Sequence, residues 1–307
     1  MRPITLADYA RHYGYFLDFL DRSGLLVRSA AAASQVTPGN VAAYIEELRG
    51  RVCSVTVYGS IYKLRRASQL LDPKRDFGWL TEIEKDLALV MRPRSKADRL
   101  VLSECLVECG LTLMAEAENS STLSSLAKAC QFRDGLMVAM LALHPIRLKN
   151  FSSLEIGRNL VRIGGSWWIA LSAAETKENR PDERRIDNAV ASALETYLSK
   201  YRPALARTSN QSGALWLSFI SGQPLTYDAV AAAIKRTTRM AFGVGISPHM
   251  FRASAASSAA VHARSNPNLA SALLHHRDGR VTQEHYNRAS NLSAANDFAR
   301  VVRELDR

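Results

Sequence analysis

A chain of 307 residues, 47% of them hydrophobic, can bury a sizeable core in two domains of ordinary size, which excludes wholesale disorder. Forty Lys and Arg against 29 Asp and Glu leave a formal charge of +11, a balance that suits a polyanionic partner such as nucleic acid. No apolar run reaches the roughly 18 residues that span a bilayer. Residues 1–20 also lack an apolar core and a small-residue cleavage site, so no membrane contact or signal peptide is expected and the chain reads as cytoplasmic.

The first ninety or so residues read as short helices. TLADYARHYGYFLDFLDRSG opens at Thr5, an N-cap residue type, and stops at Gly24. Tyr9, Tyr13, Phe16, Leu17 and Leu20 recur at helical spacing and predict one buried stripe. TPGNVAAYIEELRG carries Thr37 as cap, Pro38 at the first helical position and Gly50 as terminator. SVTVYGSIYKLRRASQLLD supplies a helix bearing Tyr58, Lys63, Arg65 and Arg66, a basic face that suits solvent or a phosphate backbone.

MRPRSKADRL, with a proline, several cations and few apolar residues, reads as a linker. LSECLVECGLTLMAEAE and LSSLAKACQFRDGLMVAMLALHPI then resume long helical patterns. Past Arg147 the character changes. LVRIGGSWWIALSAAETKENRPDERRIDN has β-branched and aromatic runs broken at Gly164-Gly165 and around Pro181, predicting an antiparallel sheet of two or three strands. Helical patterns return in AVASALETYLSKYRPAL, TYDAVAAAIKRTTRMAFG, PHMFRASAASSAAVHA and NPNLASALLHH. The fold class is mainly α with a small antiparallel β-sheet: a helical domain over residues 1–91, a linker over 92–99, and an α+β domain over 100–307.

Cys53, Cys105, Cys109 and Cys130 are too sparse for a secreted disulfide scaffold. Cys105 and Cys109 share a helix face, yet no His or Cys pair stands nearby at ligand spacing, so buried free thiols are expected and no metal.

Six residues of the second domain carry chemistry when taken together. Arg147 follows an apolar helix in LALHPIRLKNFSSLEI, and Lys177 lies at the turn of the predicted hairpin in AAETKENRPDERRI. His249 and Arg252 form His-x-x-Arg in SPHMFRASAAS, at a helix start marked by Ser247 and Pro248. LLHHRDGRVTQEHYNRAS adds His276 and Tyr286. Each alone has an ordinary explanation: a surface cation, a solvated hairpin charge, a helix-start histidine, a half-buried phenol. The ordered set is far more specific.

In that order the residues resemble the tyrosine recombinase (phage integrase) family, over nearly the whole chain. The resemblance implies a helical, SAM-like core-binding domain that contacts double-stranded DNA, followed by a catalytic domain. It implies Arg147 and Arg252 as the catalytic arginines, Lys177 as the hairpin lysine, His249 as the opening of His-x-x-Arg, His276 at the later His/Trp position and Tyr286 as nucleophile. Two guanidiniums suit the non-bridging oxygens of a phosphodiester under attack. A phenol of pKa about 10 needs a proton acceptor and a cationic setting, which makes His249 a candidate base. The leaving 5′-oxygen needs a proton, which Lys177 would deliver, and neither metal nor cofactor enters the scheme.

The sequence departs from the family pattern in three places. His275 stands where a glycine is common, so either His275 or His276 can face the phosphate, and the spacing to Tyr286 favours His276. Asn150 stands where a carboxylate often follows the first arginine; it can orient Arg147 but supplies no charge. HPIR replaces a small-residue turn, and His144 reads as structural. The tail NLSAANDFARVVRELDR has Phe298, Val301, Val302 and Leu305 at helical spacing. It packs either on its own domain or, as relatives imply, on a neighbouring protomer in a homo-tetramer. The expected activity is site-specific recombination of DNA through a 3′-phosphotyrosine. The rivals are type IB topoisomerase-like relaxation, or a DNA-binding regulator of the same fold with weakened catalysis.

Overall fold

The computed structural model describes residues 1, 3–93, 99–206, 212–262 and 269. The chain divides into two compact units, Met1–Ser95 and Lys96–Arg307.

The first unit contains α1 (Pro3–Arg22), α2 (Pro38–Arg51), α3 (Ser54–Leu71) and α4 (Gly78–Val90), with a 3-10 turn at Ala32–Gln35. Phe16, Leu20, Val41, Ile61, Leu64 and Leu80 are fully buried at its centre. Helix α1 begins at Pro3 rather than at a Thr5 cap, because proline suits a first turn whose N–H groups have no helical acceptor. Its buried stripe includes Phe19, while Leu17 is only partly covered. Gly24, at φ 66°, ends the helix: Leu25 N–H reaches the Leu20 carbonyl (2.8 Å) and Gly24 N–H that of Asp21 (3.1 Å), a Schellman closure. Thr37 caps α2 by accepting from Asn40 N–H at 3.2 Å. Gly50 is helical rather than a terminator; α2 stops where Val52 turns extended to enter α3.

The basic face of α3 is internally paired. Lys63 lies 3.0 Å from Asp8, Arg65 donates to Glu84 at 2.6 Å, and Arg66 donates to Gln69 at 3.2 Å.

The second unit contains α5 (Ser103–Asn119), α6 (Ser125–Leu143), α7 (Leu148–Ser152), α8 (Asn188–Thr196), α9 (Arg202–Leu205), α10 (Tyr227–Phe242) and α11 (Pro248–His262). A single π turn, Tyr197–Tyr201, joins α8 to α9. The sheet is β1 (Leu160–Ile163), β2 (Ser166–Leu171) and β3 (Asp182–Arg185), antiparallel in that order. Ile163 pairs with Ser166 across Gly164 and Gly165, both at positive φ (55° and 80°), which gives the two-residue turn a twist matching the strands. The chain is thus mainly helical with a small antiparallel sheet.

Helix α6 runs through the core of this unit, buried without a break over residues 132–142. It crosses α5 where two glycines meet: a Cβ on Gly110 would lie 2.5 Å from the Gly135 carbonyl oxygen, and one on Gly135 would lie 2.8 Å from that of Gly110. Because backbone rather than a flexible side chain is struck, Gly135→Ala is expected to destabilise the unit by about 2–3 kcal/mol. Thermal or urea unfolding followed by Trp216, buried in this core, measures it.

The cysteines are free thiols, but they are not uniformly buried. Cys53 and Cys105 are exposed, since Cys53 precedes α3 and Cys105 sits on the outer face of α5. Among the described residues no cluster of His, Cys, Asp or Glu could hold a metal ion, and no helix is long and apolar enough to cross a membrane.

Candidate active site

Arg147 is the N-cap residue of α7. Its extended backbone leaves the carbonyl free to accept Asn150 N–H (2.9 Å) and Phe151 N–H (3.0 Å), which fixes the chain on either side of the guanidinium. The side chain is about one-third exposed, and its two terminal nitrogens grip Glu178 with a pair of bonds, Nη1 to Oε2 at 2.6 Å and Nη2 to Oε1 at 2.5 Å. Asn150 itself is buried. The carboxylate beside Arg147 therefore comes from Glu178 on another segment.

Arg252 approaches from α11, 105 residues later. It is buried, and its Nη1 donates to the Pro145 carbonyl at 2.6 Å, two residues before Arg147. Burial first, then the charges of Arg147 and Arg184, push its pKa down to about 10; the carboxylates of Glu178 and Asp182 act the other way. The two arginines, Arg184 of β3 and these two carboxylates thus sense one another as a single cluster. His249 lies one turn earlier on α11, exposed at the helix start that Pro248 opens.

Lys177 is exposed in the Ser172–Pro181 connection between β2 and β3. That connection is well tied. Glu175 accepts from the backbone and hydroxyl of Ser172 (2.9 and 2.8 Å), from Asn159 (3.2 Å) and from Arg158 (2.8 Å). The Ser172 backbone bond leads the forces that hold the Glu175 carboxyl down at about 2, against burial. Thr176 donates to the Arg180 carbonyl at 2.6 Å and accepts its N–H at 3.1 Å. Burial opposes ionisation of Glu178, but the bonds and charge of Arg147, with Lys177 beyond, hold its carboxyl below the usual range.

His144 ends α6 directly behind the arginine loop. Its Nε2 accepts Asp187 N–H at 3.2 Å, which leaves a neutral ring as the structure's choice. Burial and then Arg184 push its pKa down to about 4, and Asp187 offsets this only in part. The imidazole is a structural strut between the end of α6 and the cap of α8.

Arg147, Arg252 and the Lys177 loop are thus brought to one place, with His249 on the helix that delivers Arg252. His276 and Tyr286, along with His275 and the tail from Asn291, lie outside the described residues. Sequence reasoning missed Glu178, Arg184 and Asp182, which stood in a polar stretch legible only as a turn. The described part of the site is thus a cluster of cations interleaved with two carboxylates, with a lysine on the adjoining hairpin, in a mainly helical domain.

The sequence model of the phage integrase family matches residues 112–292, more than half of the chain and a span that includes all six candidate residues. The chain belongs to the phage integrase family, the tyrosine recombinases, whose general activity is site-specific recombination of DNA. Solved structures that resemble it include two recombinases. The crystal structure of XerA recombinase is 16% identical, with 97% of this chain and 92% of that one covered, at a TM-score of 0.45. The XerH site-specific recombinase bound to its difH substrate, a pre-cleavage complex, is 15% identical, with 92% and 94% covered, at a TM-score of 0.47. No curated protein sequence matches.

Proposed function

We propose that this protein cuts and rejoins double-stranded DNA at defined sites through a covalent 3′-phosphotyrosine at Tyr286. Arg147 and Arg252 hold the non-bridging oxygens of the scissile phosphate and stabilise the charge that develops there. His249 accepts the phenol proton, and His276 donates to a phosphate oxygen. Tyr286 Oη bonds to phosphorus as the P–O5′ bond breaks; the electron pair leaves on O5′, which takes a proton from the Lys177 ammonium. The phosphotyrosine conserves the bond energy, so a second strand's 5′-hydroxyl can reverse the step.

The observation that carries this reading is the tether of buried Arg252 to the Pro145 carbonyl, which joins two distant segments into one arginine pair beside the Lys177 loop. The N-terminal helical unit, read as the core-binding domain, would clamp DNA together with the catalytic unit, in a homo-tetramer linked through the tail beyond Tyr286. The setting is the cytoplasm, with no cofactor.

The test is a nicked suicide oligonucleotide from which the cleaved end diffuses away. Wild type is expected to leave a protein–DNA adduct on a denaturing gel, and Tyr286→Phe to bind the same DNA with no adduct. An adduct that persists in Tyr286→Phe rejects the nucleophile. Sequencing the DNA attached to the wild-type protein identifies its site.

A further inference from the structure

The Ser172–Pro181 loop is pinned at its base by Glu175 and at its middle by Thr176, both bonded within the sheet region. Its far side is pinned differently. Glu178 turns inward, 15% exposed, and takes both terminal nitrogens of Arg147. Asn179 follows in the left-handed region at φ 55°, so the chain reverses immediately after Glu178. Lys177 is the one residue between the Thr176 anchor and the Glu178 anchor. Neighbouring Cα atoms are about 3.8 Å apart, so any displacement of Glu178 moves the lysine backbone with it.

We infer that Glu178 is a positioning residue: its two-point bond to Arg147 latches the loop to the arginine pair and so sets where the Lys177 ammonium can reach. The inference rests on the proposed roles of Arg147 and Lys177. A planar carboxylate on a planar guanidinium fixes orientation as well as distance, which a single point charge does not. The latch uses the outer edge of the guanidinium formed by Nη1 and Nη2, leaving the edge that includes Nε to face a phosphate. It also places a carboxylate beside Lys177, whose charge is among those that hold the Glu178 carboxyl below its usual range.

The chemistry supplies a readout that fold damage alone does not move. An alkoxide leaving group needs the proton of Lys177, whereas a thiolate leaves without one. Adduct formation is measured in a single turnover at saturating DNA, on an ordinary substrate and on one whose scissile 5′-bridging oxygen is sulfur. The full-length proteins compared are wild type, Lys177→Ala, Glu178→Gln, Glu178→Asp and Arg147→Ala.

Glu178→Gln is expected to slow cleavage of the ordinary substrate by on the order of tenfold to a hundredfold, with DNA affinity unchanged. The sulfur substrate is expected to restore most of that loss, as it does for Lys177→Ala, and to leave Arg147→Ala slow. Glu178→Asp, which keeps the charge, should retain more of the rate than Glu178→Gln.

Two results with Glu178→Gln overturn the inference, and one with Lys177→Ala overturns the reading beneath it. A Glu178→Gln rate on ordinary DNA equal to or above wild type makes Glu178 an internal anion competing with the phosphate. A loss that sulfur does not relieve places its effect on the clamp or the fold alone. If Lys177→Ala is itself not relieved, the proton-donor role of Lys177 fails first, and the latch falls with it.

Discussion

Arg252→Lys is expected to cut adduct formation on a suicide substrate about a thousandfold, close to the loss for Arg252→Ala, with DNA binding little changed. The substitution keeps a formal cation, yet the site is built for a guanidinium. One nitrogen is committed to the Pro145 carbonyl at 2.6 Å, so a phosphate must be served by the other donors of the same planar group. An ammonium has a single nitrogen and cannot span both partners in fixed geometry. The site also lowers the pKa of whatever cation it holds. Burial and the charges of Arg147 and Arg184 bring Arg252 down to about 10, which still leaves it charged at neutral pH. Acting on a lysine, whose pKa starts about two units lower than that of arginine, the same forces drive it towards neutrality. The sign of the pH effect follows: the residual rate of Arg252→Lys should rise as pH falls, because acid protonates the buried amine. Arg252→Ala has no group there to titrate, so the ratio of the two variants between pH 9 and pH 6 isolates the effect.

What could be read in the sequence depended on the range of the interaction. Helix α10 was legible because both ends are local: Thr226 accepts Ala229 N–H at 3.2 Å, and Gly243 takes the left-handed conformation at φ 71°. The turn at Gly164 and Gly165 was legible for the same reason, since only its own backbone demands positive φ. Thr5 and Gly50 misled because each has the right residue type at a place where the chain's next commitment, Pro3 for one and the start of α3 for the other, sets the boundary. The π turn at Tyr197–Tyr201 left no signal, because an extra residue per turn shifts the apolar spacing by less than the scatter of ordinary helices.

The site divides along the same line. Residue types and order pointed to Arg147, Lys177, His249 and Arg252, but nothing local links Arg252 to Pro145 or Arg147 to Glu178. Those contacts span 107 and 31 residues and exist only once α11 and the hairpin pack against the end of α6. Asn150 drew attention to a missing carboxylate without saying where its replacement lay. The cations of α3 show the converse limit. Their spacing announced a basic face, whereas Asp8 and Glu84, far off in sequence, already pair with Lys63 and Arg65.

The buried imidazole of His144 makes the second unit acid-sensitive in a definite window. In the folded chain its pKa lies at about 4, and in the unfolded chain near the ordinary imidazole value of 6.5. Between those values the unfolded state binds a proton that the folded state refuses, so stability rises with pH there and falls as the solution is acidified. Above 6.5 neither state is protonated and the contribution is fully present. At about 1.4 kcal/mol per unit, the shift corresponds to roughly 3 kcal/mol lost from pH 6.5 to about 4. Glu175, held at about 2 from an ordinary 4.5, also loses its contribution on acidification, but over the lower window from about 4.5 to about 2. Urea unfolding followed by tryptophan fluorescence at pH 7, 6, 5 and 4.5 therefore reads His144 largely apart from Glu175. His144→Gln can still accept Asp187 N–H through its amide oxygen and has no proton to take up. Its stability should change far less across that range, crossing the wild-type curve as the acid penalty disappears. A wild-type curve that stays flat from pH 6.5 to 4.5 would show that the ring takes up its proton as readily in the fold as in the unfolded chain, and the neutral strut between α6 and α8 would have to be abandoned.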